Sequence, residues 1–284
     1  MAKARWKAFP YADAAYDYDG AALRSHWPRL HQGDCEPYPD AVGLKALVAR
    51  YPQLQPSSQP LDEAAATLQD AWRAYHRGDF AQAVELGLAA GALGYDVANK
   101  ATNIYATYLE TGEKAKLDLF LKSAQRAEQL ARQAKTVANA WYFQAQALGR
   151  YSQGISVVKA LAEGLGGKVK HALEQAIALE PHHADAHIAL GAYHAEVVSK
   201  VGATLGALTY GASREAGVKH FETALKLNPH SAIARIEYAN GLAMMFGEAK
   251  LAQATRLYEQ AAACPPADAM ERFDAELAKS ELED

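Results

Sequence analysis

The densest group of potential ligands in the chain is His182, His183, His187 and His194. On a helix His183 and His187 stand four residues apart and His187 and His194 seven, so the three can share one face. Two imidazoles with Asp185 or Glu196 nearby form a set of the kind that holds zinc. The H-E-x-x-H spacing of a metalloprotease is absent. The same positions also suit bulky and aromatic residues packed in a helix seam, and we take the cluster as structural, with no metal site and no cofactor assigned. Gly164-Leu165-Gly166-Gly167-Lys168 has the look of a phosphate loop preceding a helix. It lacks the glycine five residues before Gly167, where Ala162 stands, and has Val169 where Ser or Thr should follow the lysine. A glycine hinge between helices is the better reading. With no nucleophile elbow, C-x-x-C pair or dinucleotide fingerprint, no catalytic residue is assigned and the protein is expected not to be an enzyme.

Helical hairpins are the elements that would position these residues. Residues 184–231 read as one hairpin, with Leu190-Gly191 in its first helix and Gly217, Phe221, Ala224 and Pro229 in its second. The second-helix spacing recurs as Ala254, Tyr258, Ala261 and Pro266, and earlier as Val169, Leu173, Ala176 and Pro181. Small residues let antiparallel helices approach, an aromatic fills the seam, and proline ends the second helix. From Pro181 to Pro229 the interval is 229 − 181 = 48 residues, against a repeat of about 34. An insertion is therefore expected here, with another in the preceding hairpin around residues 153–170.

This pattern resembles the tetratricopeptide repeat over residues 61 to 266. The resemblance implies an all-α, right-handed helical-hairpin solenoid, here with two elongated hairpins and helical caps. The elongated hairpin also resembles TPR-like regulators of microtubule dynamics and, more distantly, the TPR partner of bacterial TRAP transporters.

Two parts are expected: residues 1–60, an aromatic-rich helical cap and linker, and residues 61–284, the hairpin array with its C-terminal capping helix. Trp6, Phe9, Tyr11, Tyr16, Tyr18, Trp27 and Tyr38 crowd the first part. Such residues rarely stay solvated, and the end of a repeat array exposes an apolar face that needs cover. The rival reading is an aromatic arm that binds a partner. Proline and serine at 52–60 form the linker. Within the array, hairpins are expected at Leu61–Ala90, Val97–Ala134, from Ala138, from Ala184 and at Ala232–Cys264, and the charged residues Lys122, Arg126 and Glu128 are read as a solvated face. Val158, Leu161 and Leu165, and Val197, Val201, Leu205 and Leu208, form apolar stripes at helical period in the two insertions, expected to face one another with Gly202 and Gly206 allowing close approach.

Half of the 284 residues are hydrophobic and 22% charged, enough to bury a large core. The net charge of −4 offers no field for nucleic acid, which is not expected as a partner. No stretch reaches the roughly 20 apolar residues of a membrane span, and the opening residues lack a secretory apolar run. The two cysteines, Cys35 and Cys264, fit neither a metal nor a redox spacing. A cytoplasmic protein with free thiols is expected.

In the repeat family, first helices line a concave groove. The resemblance places Asn99, Thr102, Tyr142, Gln146, Arg150, Ile188, Ala192, Ile236, Asn240 and Met244 on it, with Arg150 alone supplying positive charge. It implies a non-enzymatic scaffold that binds a protein or peptide partner there. The alternative is a carrier of a small apolar ligand enclosed by the groove and the elongated hairpins.

Overall fold

The structure is a computed structural model describing residues 6–11, 16–56 and 59–283. Ser57 and Ser58 of the linker, and parts of the aromatic leader, lie outside the described residues. Among the described residues every regular element is helical. The chain divides into two compact units, one of residues up to Arg29 with Glu36–Ser156, the other of Leu30–Cys35 with Val157 onward.

The first unit holds α1 (Ala22–Leu30, whose last residue belongs to the second unit), α2 (Ala41–Arg50), α3 (Leu61–His76), α4 (Phe80–Ala89), α5 (Tyr95–Tyr108), α6 (Glu113–Gln133) and α7 (Ala138–Gln153). From α3 to α7 each helix packs on the next. Gly78 has φ +89°, a left-handed conformation that glycine takes without Cβ strain. It ends α3, and the Asp79 carboxylate then accepts from the Gln82 N–H to cap α4. Trp72, Tyr75 and Phe80 are fully buried at the α3–α4 seam. Against them α1 lays Leu23 and Trp27, both buried; Trp27 meets Trp72 edge-on, with ring centroids 5.7 Å apart. The aromatic density of the leader is thus accounted for by packing in this unit. Leu54 closes a further cluster with Leu130, Ala131, Ala134 and Ala140.

The second unit holds α8 (Val157–Ala162), α9 (Leu165–Leu179), α10 (Ala184–Val201), α11 (Ala203–Tyr210), α12 (Arg214–Leu227), α13 (Ala232–Phe246), α14 (Leu251–Ala262) and α15 (Ala269–Glu283). Its seam explains the repeat spacing atom by atom. Phe221 is fully buried, and a Cβ placed on Gly191 or Gly241 would come within 2.8 or 2.6 Å of its ring. The two glycines on α10 and α13 therefore make the slot that the Phe221 ring of α12 fills, stacked on Tyr238 at 5.1 Å. Ala261 of α14 and Ala278 of α15 join Ala232 and Ile236 in the last cluster, so α15 covers the end of this array.

The insertions differ from the expected long helices. α7 stops at Gln153, where the Gly154 N–H closes a turn onto the Tyr151 carbonyl. A Cβ at Gly154 would meet Leu117 at 2.7 Å. α10 stops at Gly202, whose φ of +85° turns the chain out of the helix. Each insertion is a separate short helix, α8 or α11, rather than an extension. The stripes do not bury one another either: Val158 and Leu208 are 77% and 82% exposed. Gly206 is buried, but its neighbours are Val197 and Val201 of α10, 3.3 and 3.8 Å from a built Cβ. The close approach that explains it lies within its own hairpin, and Gly202 serves conformation alone, with nothing within 4 Å of its Cβ position.

Candidate functional site

In the first unit the groove residues meet as a polar seam among α5, α6 and α7. Asn99 and Thr102 are buried on α5 and point at α6, where Arg126 donates to Asn99 Oδ1 (2.9 Å), Thr102 Oγ1 (2.7 Å) and the Ala98 carbonyl (3.4 Å). All three acceptors are neutral. Burial lowers the Arg126 pKa and Tyr95 opposes the shift, although a guanidinium keeps its proton in a protein. Arg126 thus corrects two expectations: it belongs to no solvated face, and Arg150 is not the one cation near these residues. Its helical position carried no signal of this, since only the packing of α6 on α5 aims it inward.

One turn along, Asn103 Nδ2 donates to Gln146 Oε1 (2.8 Å) and Gln146 Nε2 to the Tyr142 hydroxyl (3.1 Å), linking α5 to α7. Tyr142 is buried, while Gln146 and Arg150 are half-buried. Arg150 reaches Gln153 at 3.3 Å. In the second unit Ile188 and Ile236 are buried, Ala192 and Asn240 half-buried, and Met244 is 47% exposed. The Asn240 carbonyl oxygen accepts from the Tyr258 hydroxyl at 2.5 Å. Of the ten positions, then, Gln146, Arg150, Ala192, Asn240 and Met244 offer atoms to solvent, and the other five serve mainly the helix seams.

The histidines resolve into separate roles. His183 is buried at the N-cap of α10, its Nδ1 accepting from the Ala186 N–H at 3.1 Å. His182 is exposed and pairs with Glu180 at 3.3 Å. His187 and His194 meet His220 of α12, which sequence spacing gave no reason to include. His187 Nδ1 lies 2.9 Å from His220 Nδ1, and the His194 ring stacks on His220 with centroids 5.7 Å apart. Hydrogen bonding assigns the tautomers. His187 Nε2 faces the Pro181 carbonyl at 3.3 Å and donates to it, so in a neutral His187 the Nδ1 accepts from His220 Nδ1–H. His194 Nδ1 accepts from the Ser213 N–H at 3.3 Å. These contacts are all satisfied by neutral rings, the form that burial favours. Burial is the main cause that lowers all three pKa values, and His220, with His187, His194 and Lys219 adding to burial, falls to about 4. Among the described residues no group of three His, Cys, Asp or Glu side chains is placed to hold a metal ion.

Residues 30–35 lie across the start of α10 in the second unit. The Asp185 N–H donates to the Gly33 carbonyl at 2.9 Å, Gln32 Nε2 to the Leu227 carbonyl at 3.0 Å, and the Cys35 thiol to the His182 carbonyl at 3.4 Å. Burial, with Glu180, Asp34 and Asp185 adding, pushes the Cys35 thiol up to about 12. That environment disfavours the thiolate, the form in which a cysteine acts as a nucleophile. Gly164, at φ +64°, is the left-handed hinge between α8 and α9.

No protein-family model matches the chain, and no curated protein matches it. The structure is similar to the crystal structure of a thermophilic TPR protein of Thermus thermophilus, with a TM-score of 0.55 at 16% identity, over 76% of this chain and 99% of that one. The chain has a TPR-like, all-α hairpin fold. No described helix is long and apolar enough to cross a membrane.

Proposed function

We propose that the protein is a non-enzymatic, cytoplasmic scaffold that binds a protein or peptide partner on the first-helix faces of its hairpins. The partner-facing positions are Gln146 and Arg150 in the first unit and Ala192, Asn240 and Met244 in the second, with Asn99, Thr102, Tyr142, Ile188 and Ile236 holding the surface behind them. The observation that carries this reading is the α5–α7 amide seam. Gln146 is half-buried and its amide is fixed at both ends by Asn103 and Tyr142, so it presents a preorganised rim rather than a mobile side chain. Within the first unit a fixed amide beside a guanidinium suits an extended backbone, and within the second an amide beside a methionine suits an apolar side chain, better than either suits bond-breaking chemistry. The fold supports this reading, since such hairpin arrays commonly hold partner segments.

The experiment compares proteins captured from the native source by the wild-type chain with those captured by Gln146→Ala and Met244→Asp, both at positions open to solvent. Loss of captured proteins in either variant, each reporting on its own unit, is the expected result. Identical capture by all three chains would sink the groove reading. Native mass spectrometry of the same preparations, showing a stoichiometric small molecule and no protein, would shift the assignment to an apolar-ligand carrier.

A further inference from the structure

A different surface of the first unit already holds an extended segment, and that segment is the chain's own. Residues 6–11 form no helix or strand. Trp6 lies flat on Tyr105 of α5, with ring centroids 3.9 Å apart and planes 14° from parallel. The Lys7 N–H donates to the Tyr105 hydroxyl at 3.3 Å, and Lys7 Nζ donates to Thr111 Oγ1 at 3.1 Å in the loop beyond α5. Phe9 sits over Gly78, where an added Cβ would fall 2.6 Å from its Cβ and Cγ. That glycine is thus required twice, for its left-handed φ and for the ring above it. Phe9 in turn meets Tyr16 edge-on at 6.3 Å.

We propose that this face, from Thr111 and Tyr105 to Gly78, is a peptide-recognition site closed in the free protein by residues 6–11, and that its partner is another protein bearing an exposed extended segment with Trp and Phe three residues apart and Lys after the Trp. The contacts are those of a bound peptide. Two rings enter fixed places, the Lys7 backbone N–H goes to a side-chain hydroxyl, and its ammonium is fixed by another. None of these is a covalent or helical continuation of the elements beneath, so a segment of the same chemistry supplied in trans can reproduce all of them. The tether gives the chain's own segment a local concentration on the order of millimolar. An outside segment competes when it exceeds that local concentration or is held nearby by further contacts, so at low concentration the site answers a correctly docked partner before loose peptide, and at large excess loose peptide also displaces the segment. This inference stands apart from the groove reading and holds whether or not the groove takes a partner.

The test uses the full chain and a fluorescein-labelled peptide of residues 6–11. The double variant Trp6→Ala, Phe9→Ala releases the site. It should bind the peptide at one site at least about ten-fold more tightly than wild type, because the tethered competitor is gone. Adding Thr111→Ala, an exposed position, should weaken that binding, as should replacing Trp by Ala in the peptide. Should the double variant fail to fold, the wild-type chain carrying 5-fluorotryptophan gives a second reading. Its Trp6 ¹⁹F resonance should move to the free position as unlabelled peptide is added. A peptide that binds the released and wild-type chains equally, or binds neither, overturns the proposal. So does a Trp6 resonance that stays put at a large excess of peptide. A concentration-dependent wild-type dimer that the double variant abolishes would also overturn it, by assigning the segment to exchange between copies.

Discussion

Phe221 and His220 are neighbours on α12 that fill two different kinds of slot. Phe221 has no freedom: glycines at 191 and 241 bound it on either side, and it is fully buried. Truncating it to alanine should cost about 3–5 kcal/mol in chemical denaturation. Gly191→Val should cost roughly 1–3 kcal/mol by overpacking the same slot, and a variant as stable as wild type would disprove the seam. His220 is held neutral between His187 and His194, with Lys219 beside it and Lys170 and Glu174 facing His194. The folded pKa values lie below the unfolded value near 6.5. Between these limits the unfolded chain binds more protons, so stability is fully present above about pH 6.5 and is lost as pH falls toward 4, the value reached by His220. Melting temperature should therefore decline across that window. In His220→Gln, which keeps a polar side chain and removes the titration, the decline should be shallower; equal slopes in the two chains would contradict the neutral stack.

At the scale of elements, the short helices α8 and α11 are the departure from a plain repeat. Each is set off by glycines rather than carried on from its parent helix, and each leaves large apolar side chains in solvent, Val158 and Leu161 on α8, Leu205 and Leu208 on α11. Gly206 alone is buried, against Val197 and Val201. Gly206→Leu should therefore destabilise the fold by roughly 1–3 kcal/mol. Leu208→Lys, four-fifths exposed, should change stability by no more than about 0.5 kcal/mol. A pair of denaturation curves decides it: if the glycine variant is neutral, α11 does not pack on α10 as described.

For the whole molecule, the N-terminal forty residues serve both units. Leu23 and Trp27 complete the aromatic core of the first. Residues 30–35 strap the start of α10 in the second, where a Cβ on Gly33 would overlap the Asp185 carboxylate. Deleting residues 1–40 should thus lower the melting temperature and speed proteolysis in both halves of the chain, a broader loss than a terminal cap alone would produce. Mass mapping of the cleavage sites checks this. Protection retained throughout residues 157–284 would show the strap to be dispensable.

The all-helical class, the hairpin spacing and most helix boundaries in this protein are local matters, written in period, proline and glycine. Leu190-Gly191, Phe221, Ala224 and Pro229 announced the seam because small and aromatic residues recur wherever two helices must approach. The aromatic leader announced docking because seven rings near one terminus need cover. What spacing could not carry is anything that depends on which helices become neighbours. His220 joined His187 and His194 only because α12 packs on α10, and Arg126 turned inward only because α6 packs on α5. The short helix α11 looked continuous with α10 because a glycine in a helical pattern has the same letter whether its φ is negative or positive, and α8 looked continuous with α7 because Gly154, at φ −93°, carries no mark of the stop. At Gly154 the close Leu117 leaves no room for a side chain, whereas at Gly202 the left-handed φ alone ends the helix. The ten positions expected on a groove could be listed from helical spacing, but five of those side chains are consumed by the seams. Tertiary packing made that division, since a side chain's exposure is fixed by what its neighbours across space leave open.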